Sequence, residues 1–185
     1  MRDKKRLTFL KQNSGVSLVE LIVVISIMAV LTGLVVLSVG IIPQNRVRAC
    51  ARELVERFEN TRTDSLAYQD AKVKVYITSD GIYADTVVNR NGTDETKTEK
   101  IGNASLELYC LTSADGAVET KLSSDSGDYL IFSFNRSSGG FKFLEGKIGG
   151  ADIADDLYCK KLKVSCGGYN REIEMVPVTG KVTLK

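Results

Sequence analysis

The chain has 185 residues, enough for one domain of modest size beside a helical segment. Its 25 basic and 23 acidic side chains nearly cancel, to a formal charge of +2, so no general electrostatic pull toward nucleic acid is expected. It contains no histidine, which argues against imidazole acid–base chemistry and the usual zinc sites.

The charge is unevenly placed. Arg2, Lys4, Lys5, Arg6 and Lys11 precede Gly15, opposed only by Asp3. After Val16-Ser17-Leu18-Val19-Glu20 come twenty-two uncharged residues, Leu21 to Ile42. As a helix these would run about 33 Å at 1.5 Å per residue, against a hydrocarbon core of about 30 Å. The run is too long for the apolar core of a secretory signal peptide, roughly 7–15 residues. A basic leader before an apolar span places the N-terminus in the cytoplasm and the rest outside. A plain anchor leaves Glu20 unexplained, since an acidic side chain in a span is costly and marks function.

The segment Lys11-Gln12-Asn13-Ser14-Gly15-Val16-Ser17-Leu18-Val19-Glu20-Leu21-Ile22-Val23-Val24 resembles the processing signal of type IV prepilins and pseudopilins. The resemblance implies cleavage after Gly15 by a prepilin peptidase and N-methylation of Val16, where the family most often has Phe. It also implies that Glu20, at the fifth mature position, meets the new Val16 amine of a neighbouring subunit. A buried carboxylate requires such a partner, and the pair would set axial register in a filament. Removing residues 1–15 takes five basic and one acidic side chain, leaving 20 basic and 22 acidic and a formal charge of −2.

Pro43 is expected to kink or interrupt the helix as it leaves the membrane. From Gln44 to about Asp70 a second helical length follows, with Val47, Ala51, Leu54, Val55 and Phe58 at three- and four-residue spacing. Arg46, Arg52, Glu53, Glu56, Arg57 and Glu59 occupy its other face. Such a stripe needs a partner surface, most simply a following sheet. The expected division is therefore leader 1–15, transmembrane and filament-core helix 16–42, amphipathic helix 43–71 and external β-rich domain 72–185.

Lys72–Thr78 alternates as a half-buried strand, Ser79-Asp80-Gly81 turns, and Ile82–Val88 returns as its hairpin partner. Asn89–Lys100 is polar and charged and reads as an exposed loop. Further strands are expected at Ser105–Leu111, Tyr129–Phe134, Phe141–Leu144, Leu162–Cys166, Glu172–Val178 and Lys181–Leu184. Gly146–Asp156 reads as a loop. The fold class is α+β: a long N-terminal helix packed on an antiparallel sheet, as the family resemblance also implies.

Cys50, Cys110, Cys159 and Cys166 all follow the span, where disulfides can form. They allow three full pairings. Cys159 and Cys166 close a short loop and are preferred; two cysteines meeting across the sheet are the alternative, with Cys50 a buried free thiol. Asp152, Asp155 and Asp156 near Gly149-Gly150 would suit calcium as oxygen ligands, but their spacing matches no known loop, so they read as a solvated turn and no cofactor is expected. Lys161 and Lys163 alternate on a strand, read as a solvated face.

The chain shows no nucleophile elbow, phosphate-binding glycine loop or metal-ligand cluster, so no enzyme is expected. Thr61-Arg62-Thr63-Asp64-Ser65-Leu66-Ala67, Phe132-Ser133-Phe134-Asn135 and Val178-Thr179-Gly180-Lys181-Val182 resemble the GspH/FimT group of minor pseudopilins and pilins. Some of that group take up DNA through a Gly-Arg-x-Arg motif. Here the matching residues are Gly180-Lys181-Val182-Thr183, leaving Lys181 as the single DNA contact, and phosphate binding needs several cations.

The resemblance thus implies a subunit, minor rather than major, of a type IV pilus or type II secretion pseudopilus. Its partners would be the prepilin peptidase, other subunits, the inner-membrane assembly machinery and, before assembly, membrane lipid. It would then leave the membrane for an extracellular pilus or a pseudopilus. The alternatives are an uncleaved membrane-anchored binding protein and a DNA-receptor minor pilin.

Overall fold

The computed structural model describes residues 17–39, 41–68, 70–90 and 92–185. The chain divides into two units, Met1–Gly40 and Ile41–Lys185.

In the first unit, α1 spans Leu18–Val39. Ser17 caps it: its Oγ accepts from the Glu20 N–H at 3.4 Å, and its carbonyl accepts from the Leu21 N–H at 3.1 Å. A serine followed three residues later by glutamate is the capping-box pattern, which satisfies donors that a helix start leaves open. Side chains from Leu18 to Gly33 are exposed around the whole circumference. Ser26 and Thr32 donate to the carbonyls of Ile22 and Met28, each at 2.7 Å, so their hydroxyls are satisfied within the helix. A helix apolar all round must be buried in lipid or in other helices. Among the described residues no helix is long and apolar enough to cross a membrane; the expected span continues past Gly33 into residues 34–41, whose side chains lie outside them.

The second unit begins with α2, Ile41–Ala67. Pro43 is the third residue of that span, and Gly40, just before it, lies outside the described residues. Val47, Cys50, Ala51, Leu54, Phe58, Thr61 and Ser65 form one buried stripe. Val55, expected in that stripe, is partly buried beside it. The helix ends three residues before Asp70, where the first strand starts.

Two antiparallel sheets follow rather than one. The first holds β1 (Asp70–Thr78), β2 (Gly81–Arg90), β3 (Thr93–Asn103), β6 (Tyr129–Ser133), β7 (Glu145–Ile148) and β8 (Ala151–Asp152), in the order β3-β2-β1-β6-β7-β8. The second holds β4 (Glu107–Thr112), β5 (Thr120–Lys121), β9 (Cys159–Cys166), β10 (Tyr169–Val176) and β11 (Lys181–Leu184), in the order β11-β10-β9-β4-β5. The buried stripe of α2 packs on both: on β1, β2, β3 and β6 of one, and on β9, β10 and β11 of the other. Phe58 reaches Phe132 edge-on at 4.8 Å, and Phe141 lies 4.5 Å from Phe134, so the aromatic core sits beneath the last turns of the helix.

Three sequence expectations are corrected. Asn89–Lys100, read as a loop, runs from the end of β2 into β3 and pairs with β2 from Arg90↔Thr93 to Gly81↔Asn103. Its side chains are exposed as their polarity implies, but β2 supplies the backbone partners, so a strand forms without an apolar face. Phe141–Leu144 is no strand. Its backbone N–H groups go to Pro177, Ser133 and Leu157 in turn, so no single neighbour sets a ladder. Gly146–Asp156 is not wholly loop, since β7 and β8 pair within it.

Candidate functional site

Gly15 and Val16 lie outside the described residues. Glu20 stands exposed in the first turn of α1, where a carboxylate also complements the positive helix end. Its backbone N–H donates to Ser17 Oγ, and among the described residues its carboxylate has no hydrogen-bond or ion-pair partner.

The cysteine pairing is corrected. Cys159 and Cys166 are the two ends of β9, eight residues long. An extended strand separates such ends by about 23 Å at roughly 3.3 Å per residue, far beyond disulfide reach of about 7 Å between α-carbons. Instead the β4–β9 pairing brings buried Cys110 to Cys159, with sulfurs 3.4 Å apart. All four are free thiols. Cys50 is buried in the α2 stripe, and burial, with the Glu53 charge adding, pushes its pKa up to about 12.

The Gly149-Gly150 turn is not organised by Asp152, Asp155 or Asp156. Its carboxylate is Asp128, which the sequence reading overlooked. Asp128 is 1 % exposed. Its Oδ2 accepts from the N–H groups of Ser123 and Gly149, each at 2.9 Å, and its Oδ1 from Gly150 at 3.1 Å. Three backbone donors thus satisfy the buried carboxyl group. Asp152 and Asp155 line a cavity of about 550 Å³ beside Phe143 and Tyr158. Among the described residues no group of acidic or cysteine side chains could hold a metal ion.

The cations expected on β9 are largely neutralised. Lys161 pairs with Glu172 at 2.7 Å, and that hydrogen bond raises the pKa of the lysine. Lys163 pairs with Glu119 and lies over the Tyr109 ring. Lys181 is exposed at the start of β11. Its neighbour Gly180 is explained by packing. The backbone there has φ +64°, and a β-carbon would stand 1.9 Å from the Gly139 carbonyl oxygen. That same oxygen accepts from Arg62 Nε at 3.0 Å. Arg62, five residues before the end of α2, therefore clamps the Gly-rich loop and the Val176–Gly180 turn together. Ser65, one turn on, donates to the Phe134 carbonyl at 3.3 Å. The helix-end and C-terminal residues picked out by sequence are thus one structural junction.

The description "Prokaryotic N-terminal methylation motif" matches residues 10–41. That motif, over 32 of the 185 residues, supports a type IV prepilin or pseudopilin family. No curated protein and no solved structure matches the chain. The match takes in Gly15, Val16 and Glu20 and the whole of α1. A helix packed on antiparallel sheets agrees with a type IV pilin-like fold. The motif supports a processed pilin-type subunit, implies prepilin-peptidase processing and assembly with other pilin subunits, and suggests a membrane-anchored pilin.

Proposed function

We propose that the chain is a minor subunit of a type IV pilus or type II secretion pseudopilus, cut after Gly15, methylated on Val16 and assembled through α1. The observation that carries this reading is the coincidence of the matched motif with a helix apolar on every side whose one carboxylate, Glu20, stands in its first turn with no partner among the described residues. Such a helix is held by lipid while the leader is present. Once cut, it exchanges lipid for the same helices of neighbouring subunits. Glu20 then exchanges water or headgroups for the Val16 amine next door, a pairing that fixes register because an unpaired charge there would be costly. The work is mechanical: α1 packs, and the domain beyond it offers lateral contacts. The minor role rests on the resemblance of the Arg62 and Gly180 segments to the GspH/FimT group. A DNA-receptor role finds less support, because Lys161 and Lys163 are paired and Gly180 serves packing.

The experiment is a pair of measurements on the membrane-extracted protein. Intact mass should show a chain starting at methylated Val16; a start at Met1 refutes processing and leaves the uncleaved anchor. Glu20→Ala should still be processed but be absent from sheared filaments. Normal incorporation would remove Glu20 from the mechanism.

A further inference from the structure

Ile42, the last residue of the apolar run, is half-exposed at the start of α2. Next to it, Pro43 packs against the β9–β10 turn: a β-carbon on Gly167 would lie 3.5 Å from the proline ring. That turn is two residues, Gly167 and Gly168, both at left-handed φ (+56° and +85°), between the paired Cys166 and Tyr169. It therefore holds Tyr169 at this end of the domain, where it is 41 % exposed. Arg171 is two residues further on the same strand face, turned toward α2 with buried Ile173.

Arg171 shares a shallow cavity of about 380 Å³ with Arg48 and Arg52, one helical turn apart on α2. Among the described residues none of these three guanidinium groups is paired with a carboxylate. Of the side-chain carboxylates nearby, Glu172 is committed to Lys161, Glu53 to Arg57, and Glu174 to Lys185, which lines the same cavity. Along α2, Arg48 and Arg52 stand about 9 and 15 Å beyond Ile42; with the hydrocarbon ending at Ile42 and a polar layer about 5–7 Å deep, both lie within roughly one screening length of the outer edge of that layer. Guanidinium forks suit phosphate oxygens, and tyrosine favours the membrane interface.

We propose that this end of the domain is a lipid-facing surface, in which Arg48, Arg52 and Arg171 hold the phosphates of anionic phospholipids and Tyr169 lies among the headgroups. It rests on the membrane-anchored reading and adds to it a lipid preference: the waiting subunit is seated on acidic lipid, and extraction into a filament must release those contacts. Each cation near such a surface strengthens attachment roughly fivefold, so three give about 100-fold.

The chain has no tryptophan, so Tyr169→Trp is a single reporter. The full chain carrying it is reconstituted into vesicles of phosphatidylcholine alone or mixed with phosphatidylglycerol, each with a headgroup-nitroxide lipid. Stronger quenching and bluer emission are expected with phosphatidylglycerol, reversed by high salt and lost in Arg48→Gln/Arg52→Gln/Arg171→Gln. The salt test stands on the reporter variant alone, should the triple variant fold poorly. Equal quenching in both lipids overturns the proposal while leaving the anchor intact. Failure to float with phosphatidylcholine vesicles overturns the anchor and the proposal together. The same salt-sensitive spectral change on adding DNA to the detergent-solubilised chain would overturn it in favour of a nucleic-acid surface.

Discussion

Gly180→Ala separates a structural glycine from a nucleic-acid motif. The native backbone is left-handed at φ +64°, which costs an alanine about 1–2 kcal/mol. The new β-carbon would stand 1.9 Å from the Gly139 carbonyl oxygen, far inside contact distance, and the obstacle is backbone on both sides. Relief requires the Gly139 carbonyl to retreat, which breaks its 3.0 Å bond from Arg62. A hydrogen bond to a charged group contributes about 1.5–3 kcal/mol. Together these give a loss of about 3–5 kcal/mol, a large part of a typical 5–15 kcal/mol. Lys181→Ala, one residue on and exposed, should change stability by no more than about 0.5 kcal/mol. The assay is urea unfolding of the detergent-solubilised chain, followed by tyrosine near-ultraviolet circular dichroism. A Gly180→Ala midpoint matching that of Lys181→Ala would refute the Arg62–Gly139–Gly180 junction.

Oxidised glutathione should join Cys110 to Cys159 by thiol–disulfide exchange, releasing two reduced glutathiones, lowering intact mass by two hydrogen atoms and leaving two of four thiols alkylatable in denaturant. Closing a loop across 49 residues should then stabilise the domain by about 4 kcal/mol, reversed by reductant; four reactive thiols after oxidation would contradict the β4–β9 geometry. The Cys50 thiol is raised in the fold, so its contribution is complete below the unfolded thiol range near pH 9. It is lost as pH climbs toward about 12, with a slope of about 1.4 kcal/mol per pH unit. Cys50→Ala should remove that slope from alkaline unfolding curves; an unchanged slope would show that Cys50 ionises as freely folded as unfolded. Asp128→Ala should strand three backbone donors, cost about 3 kcal/mol or more, and open the Gly149-Gly150 turn to limited proteolysis. Asp128→Asn, which keeps one acceptor oxygen, should lose less; equal resistance of the alanine variant would mean the turn holds without the carboxylate.

The processing motif and the α2 stripe are legible because each is written in local spacing: glycine, apolar residue and glutamate in one case, three- and four-residue recurrence in the other. β3 is not, because its strand state is imposed by β2 across the hairpin while its own side chains stay in water. Phe141–Leu144 looks like a strand for its apolar content, yet only Phe141 and Leu144 enter the core, and the backbone is shared among three segments. Cys159 and Cys166 mislead for a related reason: nearness in sequence within one strand is distance in space, whereas Cys110 arrives from another strand. Asp128 carries no local signal at all, since its partners lie 5, 21 and 22 residues away.

The grip of two sheets on one helix decides how load would pass through this molecule. α2 is covalently followed, after Ala67, by β1, and β1 is an interior strand of its sheet, flanked by β2 and β6. A pull on the N-terminal end of α2 therefore does not peel an edge. It slides the buried stripe past both sheets at once, from Val47 to Ser65, and whatever tension passes the helix enters the first sheet at its interior. Contacts loaded in shear share force and must fail together. By that geometry the helix end of the domain resists traction, and the weak direction lies across the outlying strands β3, β8, β5 and β11.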